Sequence, residues 1–188
     1  MFENKKILIT GGTGSLGKSL TKEIFKKHPK TGRVIVFSRD EQKHFQMREE
    51  FPIEKFQKLE FIIGDVRDYE SVKSACKDVD YIIHTAAMKH VHLSEINPEE
   101  CIKTNVLGAQ NITKVANSTK SVKSVVALST DKACAPVNLY GATKLTSDKL
   151  FIAANNNSSK TCHSVVRYGN VMSSNGSVIP FFLKRKTT

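Results

Sequence analysis

Tyr140 and Lys144 stand four residues apart in Tyr140-Gly141-Ala142-Thr143-Lys144, a spacing that puts two side chains on one face of a helix. A lysine ammonium beside a phenol favours the phenolate, so Tyr140 can take the proton of a substrate hydroxyl while a hydride leaves the same carbon. Ten residues before Tyr140 lies Thr130, in Ser129-Thr130-Asp131-Lys132, which follows the apolar run Val125 to Leu128. Its hydroxyl can hydrogen-bond the same substrate oxygen. Chemistry of this kind needs a hydride acceptor.

The N-terminal region supplies a place for one. Gly11-Gly12-Thr13-Gly14-Ser15-Leu16-Gly17 has Gly-x-x-Gly-x-x-Gly spacing between a strand-like Ile7 to Thr10 and a helical stripe of Leu16, Leu20 and Ile24. Glycines let the backbone turn tightly and let a pyrophosphate approach the amide groups, while the helix N-terminus offers free N-H donors and partial positive charge. We therefore assign Gly11, Thr13, Gly14, Ser15, Leu16 and Gly17 to a dinucleotide cradle. An NAD enzyme commonly has an acid at the end of the second strand to meet the ribose 2′-hydroxyl, whereas this chain has Ser38-Arg39-Asp40-Glu41-Gln42-Lys43. Ser38 and Lys43 can bind a 2′-phosphate, and Arg39 can pair with it while stacking on adenine, so NADP is favoured over NAD. Asp65 and Val66 end the third strand, where an Asp can accept from the adenine amino group; Thr85 and Ala86 end the fourth, beside the nicotinamide ribose.

These residues need a scaffold that brings strand ends together. Apolar, β-branched runs at Ile7 to Thr10, Val34 to Phe37, Phe61 to Ile63, Tyr81 to His84, Val125 to Leu128 and Ser164 to Val166 alternate with helical stretches. The pattern predicts an α/β fold, a doubly wound parallel sheet of Rossmann type with six buried strands. The first helix should stop near His28-Pro29, two long helices should span roughly 98–118 and 139–155, and the polar tract Asn155 to Ser159 should be a surface turn.

The chain has 188 residues and a formal net charge of +11. That charge favours anionic ligands, but Lys22, Lys26, Lys27, Lys55, Lys73, Lys114 and Lys123 are dispersed on solvent-facing positions without interleaved aromatics, which argues against nucleic acid. With no membrane-length apolar run and no signal-peptide core at Met1 to Lys6, a cytoplasmic, non-membrane protein is expected. Cys76, Cys101, Cys134 and Cys162 have no paired or zinc-binding spacing and are read as reduced thiols, Cys134 as a half-buried filler. His84, His90 and His92 invite a metal reading that their surroundings do not support; His84 is expected to be a satisfied core imidazole.

The glycine cradle, Tyr-x-x-x-Lys and Arg167-Tyr168-Gly169-Asn170-Val171 together resemble an extended short-chain dehydrogenase/reductase. More narrowly, Ser-Arg-Asp-Glu, Ala-Ala-Met-Lys-His-Val, Glu-Cys-Ile-Lys-Thr-Asn, Leu-Ser-Thr-Asp-Lys-Ala and Asn-Leu-Tyr-Gly-Ala-Thr-Lys resemble the inverting UDP-N-acetylglucosamine 4,6-dehydratases of bacterial surface-sugar pathways, from about residue 4 to about residue 183. The resemblance implies oxidation at C4 of the sugar, loss of water across C5 and C6, return of the hydride to C6 and inversion at C5. It implies that Tyr140 is the base at the C4 hydroxyl, that Lys144 tunes it and holds the nicotinamide ribose, and that Asp131 with Lys132 serve C5 deprotonation and loss of the C6 hydroxyl.

By the same resemblance Lys89 and Asn105 fall near the cofactor or sugar, and Asn170, Val171 and Asn175 at the rim where cofactor meets substrate. Without it, Lys89 reads as an exposed loop charge and Asn105 as a helix-interior amide bonding backbone. Family members assemble as homo-oligomers through the two long helices. They continue beyond position 188 with elements that bind the uridine and sugar, so residues 1–183 are expected to form the NADP-binding domain, residues 184–188 a short basic tail, and most of the C-terminal substrate-binding subdomain to be lacking. A UDP-sugar 4-epimerase relative and a non-catalytic nucleotide-binding fragment remain as alternatives; Asp131-Lys132 argues for dehydration, since an epimerase needs no C5 base.

Overall fold

A computed structural model describes residues 2–157 and 160–171. Six strands, β1 (Lys6–Thr10), β2 (Arg33–Ser38), β3 (Leu59–Ile63), β4 (Tyr81–His84), β5 (Ser124–Leu128) and β6 (Cys162–Val166), form one sheet in the order β3-β2-β1-β4-β5-β6. Every pairing is parallel, the doubly wound Rossmann-type arrangement that the alternating pattern predicts. The order reverses between β1 and β4, and in such sheets ligands bind at the carboxyl ends of the strands beside that reversal.

Side chains along a strand alternate between faces, so each face has its own core. Ile7 and Ile9 pack with Val34, Val36, Ile24 and Met47 under α1 (Ser15–Lys27) and α2 (Glu41–Glu50). Leu8 and Ile82 pack on the opposite face with Ile112, Val115 and Phe151. These last come from α6 (Gly108–Ser118) and α7 (Leu139–Ala154), which pack on each other, with α3 (Tyr69–Ala75) beside α6.

Three expectations need correction. The first helix buries Gly17, Thr21 and Ile24, so only part of the apolar stripe is buried: Ile24 is in the core and Leu20 half-buried against it, while Leu16 is 37% exposed. Small residues allow α1 to lie close on the sheet, and Leu16 falls at the open strand ends. Burial of all six strands also fails at the sheet edges, where Ile63 of β3 is 59% exposed and Val166 of β6 is 47% exposed. Cys134 is exposed instead of half-buried, and Arg167 donates to its Sγ from 3.0 Å.

The first long helical stretch, roughly 98–118, is present as α5 (Pro98–Ile102), a π-helical segment Lys103–Leu107 and α6, preceded by a separate short helix, α4 (Val91–Ile96). The π-turn inserts an extra residue per turn and rotates Asn105 inward, where it is buried. Asn155–Asn157 form an exposed 3-10 turn, while Ser158, Ser159 and the apolar run Ile179 to Leu183 lie outside the described residues. No helix among the described residues is long and apolar enough to cross a membrane.

Candidate active site

The expected cofactor residues gather at the carboxyl ends of β1 to β4. Gly11 has φ +65°, and a Cβ there would fall 2.8 Å from the backbone of Ala86, so the loop after β1 lies directly against the residues after β4. Gly14 caps α1 without a side-chain hydrogen bond, and the first turn has no acidic residue. Amide donors and positive helix potential therefore face the carboxyl ends of the strands over bare backbone, which fits a pyrophosphate.

At the end of β2 the Ser38 hydroxyl is 2.9 Å from Thr13 Oγ1 and 2.9 Å from His44 Nε2. Arg39 extends with its side chain 60% exposed, 3.9 Å from Asp65. Lys43 is committed differently from expectation: its ammonium pairs with Asp40 at 3.0 Å, and its backbone N-H caps into the same carboxylate. That backbone bond, then the Lys43 side chain, holds the Asp40 carboxyl below its ordinary range. Asp65 is also engaged. It receives Arg67 backbone N-H and Nε at 2.9 and 2.8 Å, so although burial works to raise its carboxyl, the Arg67 bonds together lower it. Val66 is buried, and its carbonyl accepts from Asn111.

Thr85 Oγ1 donates to the Thr10 carbonyl at 2.7 Å, and the Ala86 N-H reaches Thr10 Oγ1 at 3.4 Å, tying β4's end to β1. Asn105 clamps the next segment through both ends of its amide, accepting from Met88 N-H at 2.8 Å and donating to Met88 carbonyl at 2.9 Å. A third bond, to Thr143 Oγ1 at 3.0 Å, fastens that clamp to α7. Asn105 thus acts through backbone, as its interior position suggests, and it fixes the exposed loop that carries Lys89.

Tyr140 and Lys144 share the inner face of α7, but the structure does not pair them as the spacing suggests. Lys144 is 4% exposed and donates to the Leu128 carbonyl at 2.6 Å. Burial pulls its ammonium down to about 8, opposed by Asp148 one turn on. Burial likewise pushes the Tyr140 phenol up, opposed by the neighbouring Thr130 hydroxyl. Burial of both groups outweighs the charge effect.

Thr130 donates to Asp131 Oδ1 at 2.9 Å. Lys132 adds its backbone N-H at 2.9 Å and its ammonium at 3.2 Å to the same oxygen, and its ammonium also meets Asn170 Oδ1 at 3.3 Å. The Thr130 bond, then Lys132, holds the Asp131 carboxyl below its usual range, so Asp131 rests as a carboxylate touching an ammonium. The expected set Thr130, Asp131, Lys132, Tyr140 and Asn170 is therefore brought together. Val171 is exposed just beyond, and Asn175 lies outside the described residues.

Two features escape the motif reading. A Cβ on Gly141 would fall 2.3 Å from the Lys132 carbonyl, so this glycine lets the Asp131–Ala133 turn rest on α7. His84 is the second. It is fully buried, with Nδ1 2.8 Å from Thr10 Oγ1 but no partner for Nε2 among the described residues, so it is only half satisfied. Burial, then the nearby Lys144 charge, lowers its imidazole to about 3. No group of three or more potential metal ligands occurs among the described residues.

His84 makes stability pH-dependent. Its folded value lies below the ordinary 6.5, so between those values the unfolded chain binds more protons and stability falls as pH falls, by up to about 1.4 kcal/mol per pH unit. Urea midpoints at pH 7, 5.5 and 4 should converge toward those of His84→Asn as the wild type loses this contribution. Parallel curves for the two proteins would show that His84 carries no such load.

Residues 7–188 match the family described as polysaccharide biosynthesis protein. The chain is 55% identical over 186 residues to the UDP-N-acetylglucosamine 4,6-dehydratase (inverting) of Campylobacter jejuni, covering 98% of this chain and 54% of that one. It is 46% identical over 189 residues to a UDP-glucose 4-epimerase of Rickettsia bellii, covering 98% and 54%. The X-ray structure of Pen from Bacillus thuringiensis superposes with a TM-score of 0.94 at 45% identity, over 99% of this chain and 58% of that one. The chain thus spans about half the length of the relatives it matches.

Proposed function

The chain belongs to the polysaccharide biosynthesis protein family, and from that premise we propose that it is the dinucleotide-binding and proton-transfer part of a UDP-N-acetylglucosamine 4,6-dehydratase that inverts C5. The observation that carries this reading is the contact of the Thr130-Asp131-Lys132 turn with the Tyr140 face of α7, which Gly141 permits. A generic hydride-transfer site needs only the phenol, its lysine and a hydroxyl. Elimination needs a second base and acid nearby, and Asp131 with Lys132 supply them.

When bound, NADP supplies a nicotinamide that takes the C4 hydride and later returns it at C6, so no external oxidant is consumed. Tyr140 takes the proton of the C4 hydroxyl, with Thr130 bonding the same oxygen. Lys144, held at the Leu128 carbonyl, would hold the nicotinamide ribose through its remaining donors. A C4 ketone acidifies the C5 proton; the Asp131-Lys132 pair removes that proton and delivers one to the departing C6 hydroxyl, giving water and inversion on reprotonation. Asn170 bonds Lys132, and by the family resemblance Lys89 and Asn175 would serve the sugar. The cradle is Gly11, Thr13, Gly14, Ser15, Leu16 and Gly17, with Asp65, Val66, Thr85, Ala86 and Val171 around the rest of the dinucleotide.

NADP is preferred to NAD because Ser38 stands where an acid would repel a 2′-phosphate and because Arg39 projects beside it. Arg39→Ala is expected to weaken NADP binding about tenfold and NAD binding little, by titration calorimetry. Equal wild-type affinities for both cofactors, unchanged in the variant, would sink the preference.

The relatives named as 4-epimerases sustain a second reading, in which Tyr140 and the same cofactor invert C4 without elimination. Incubation with UDP-N-acetylglucosamine followed by mass spectrometry separates the two. Loss of water supports dehydration, an isobaric product epimerisation, and unchanged sugar with bound NADP a nucleotide-binding role alone. We further propose a homo-oligomer in the cytoplasm, tested by sedimentation and by fractionation of cells expressing the protein.

A further inference from the structure

His44 has no place in the scheme above, yet it is 3% exposed and its ring reaches Ser38, one of the residues on which the NADP reading rests. Its Nε2 lies 2.9 Å from Ser38 Oγ and 3.0 Å from the Ser38 carbonyl. A carbonyl oxygen only accepts, so the second contact is a hydrogen bond only if Nε2 carries the hydrogen. The other neutral tautomer would turn a nitrogen lone pair toward that carbonyl. Nδ1 is buried without a partner among the described residues. A doubly protonated ring would strand an N-H donor there, and burial indeed keeps the imidazole below its ordinary range.

The assignment fixes what Ser38 offers. Since Nε2-H donates, the Ser38 hydroxyl hydrogen is not spent on His44. Ser38 and Thr13 share one bond at 2.9 Å, which uses one of their two hydroxyl hydrogens and leaves the other for a ligand. The one Nε2-H is shared between the Ser38 carbonyl and Ser38 Oγ, so a ribose 2′-hydroxyl hydrogen finds fewer acceptor sites on Ser38, whereas a 2′-phosphate oxygen finds a ready donor.

We propose that His44 is a positioning residue for cofactor choice: its Nε2-H orients the Ser38 hydroxyl as a donor, biasing the Thr13-Ser38 pair toward a 2′-phosphorylated dinucleotide. This rests on the NADP reading given above. The ring is anchored for that task, packing edge-on against Phe61 with centroids 5.7 Å apart.

The test is calorimetric affinity for NADP and NAD in wild type, His44→Leu and His44→Gln. Leucine removes the donor and should lower the NADP-to-NAD affinity ratio about tenfold, whereas the glutamine amide places an N-H near Nε2 and should keep the ratio within about threefold. An unchanged ratio in His44→Leu, with wild type preferring NADP, overturns the role of His44 alone. The ratio lost equally in both variants overturns the hydrogen-bond account. No preference in wild type overturns the NADP reading and this one with it. Nitrogen-15 shifts of the wild-type ring give a second measure that needs no variant to fold: hydrogen on Nε2 and a bare Nδ1 are expected, and the reverse tautomer overturns the proposal.

Discussion

Tyr140→Phe is expected to lower formation of the dehydrated sugar by about 10²- to 10⁴-fold, the range for loss of a positioned general acid or base, while NADP affinity changes by less than about twofold. The two halves of this expectation come from different contacts. The lost oxygen is the one beside the Thr130 hydroxyl at the reacting centre. Lys144, by contrast, takes its position from the Leu128 carbonyl and not from the phenol, so removing that oxygen leaves the Lys144 amine where it was. Burial raises the phenol, so to act as the base Tyr140 must first give up its own proton, and it then takes the C4 hydroxyl proton as the hydride departs. Single-turnover product formation measured by mass spectrometry, beside calorimetric binding, checks both. An unaltered rate would remove Tyr140 from the chemistry, and a parallel loss of binding would make it a structural residue.

Much of this was legible in the sequence because it depends on local spacing. The strand runs and the glycine loop fix a parallel sheet and its ligand edge, and the four-residue interval puts Tyr140 and Lys144 on one helix face. Local spacing fails where contact between distant segments decides. Leu16 satisfies the helical stripe, but Gly17 and Thr21 join Ile24 on the buried face, because closeness of α1 to the sheet matters more there than side-chain hydrophobicity. Lys144 was expected to lower its neighbour's pKa. The depth at which α7 packs, which no motif encodes, makes desolvation the stronger effect for both groups. The His84 partner Thr10 comes from the first strand, and the His44 partner Ser38 is itself tied to Thr13 of the glycine loop. A histidine closing an apolar strand was the available signal for His84; for His44 it was a lone imidazole four residues after the motif's Asp40.

Gly141→Ala should separate elimination from oxidation. The new Cβ would lie 2.3 Å from the Lys132 carbonyl and 3.0 Å from Pro136 Cβ, so either α7 or the Asp131 to Pro136 segment must shift. α7 is the less yielding of the two. It carries Phe151 into the core, is pinned by the Lys144 bond to Leu128 and the Thr143 bond to Asn105, and has its N-terminus capped by Asn138. The segment above it holds exposed Asp131, Cys134 and Ala135, the last at φ +44°. The segment therefore moves, carrying Asp131 and Lys132 away from the C5 and C6 side while Tyr140 stays. Displacement of catalytic groups by about 1 Å can cost about 10²-fold, so dehydration should fall by at least that much. Overpacking should cost about 1–3 kcal/mol of stability. Oxidation at C4 should survive, appearing as reduced-nicotinamide absorbance that builds up instead of being consumed, with a 4-keto sugar that retains its C6 oxygen. If both steps decline together, the displaced element is the helix and not the loop. If neither declines, the contact between Asp131-Lys132 and Tyr140 is not what the chemistry depends on.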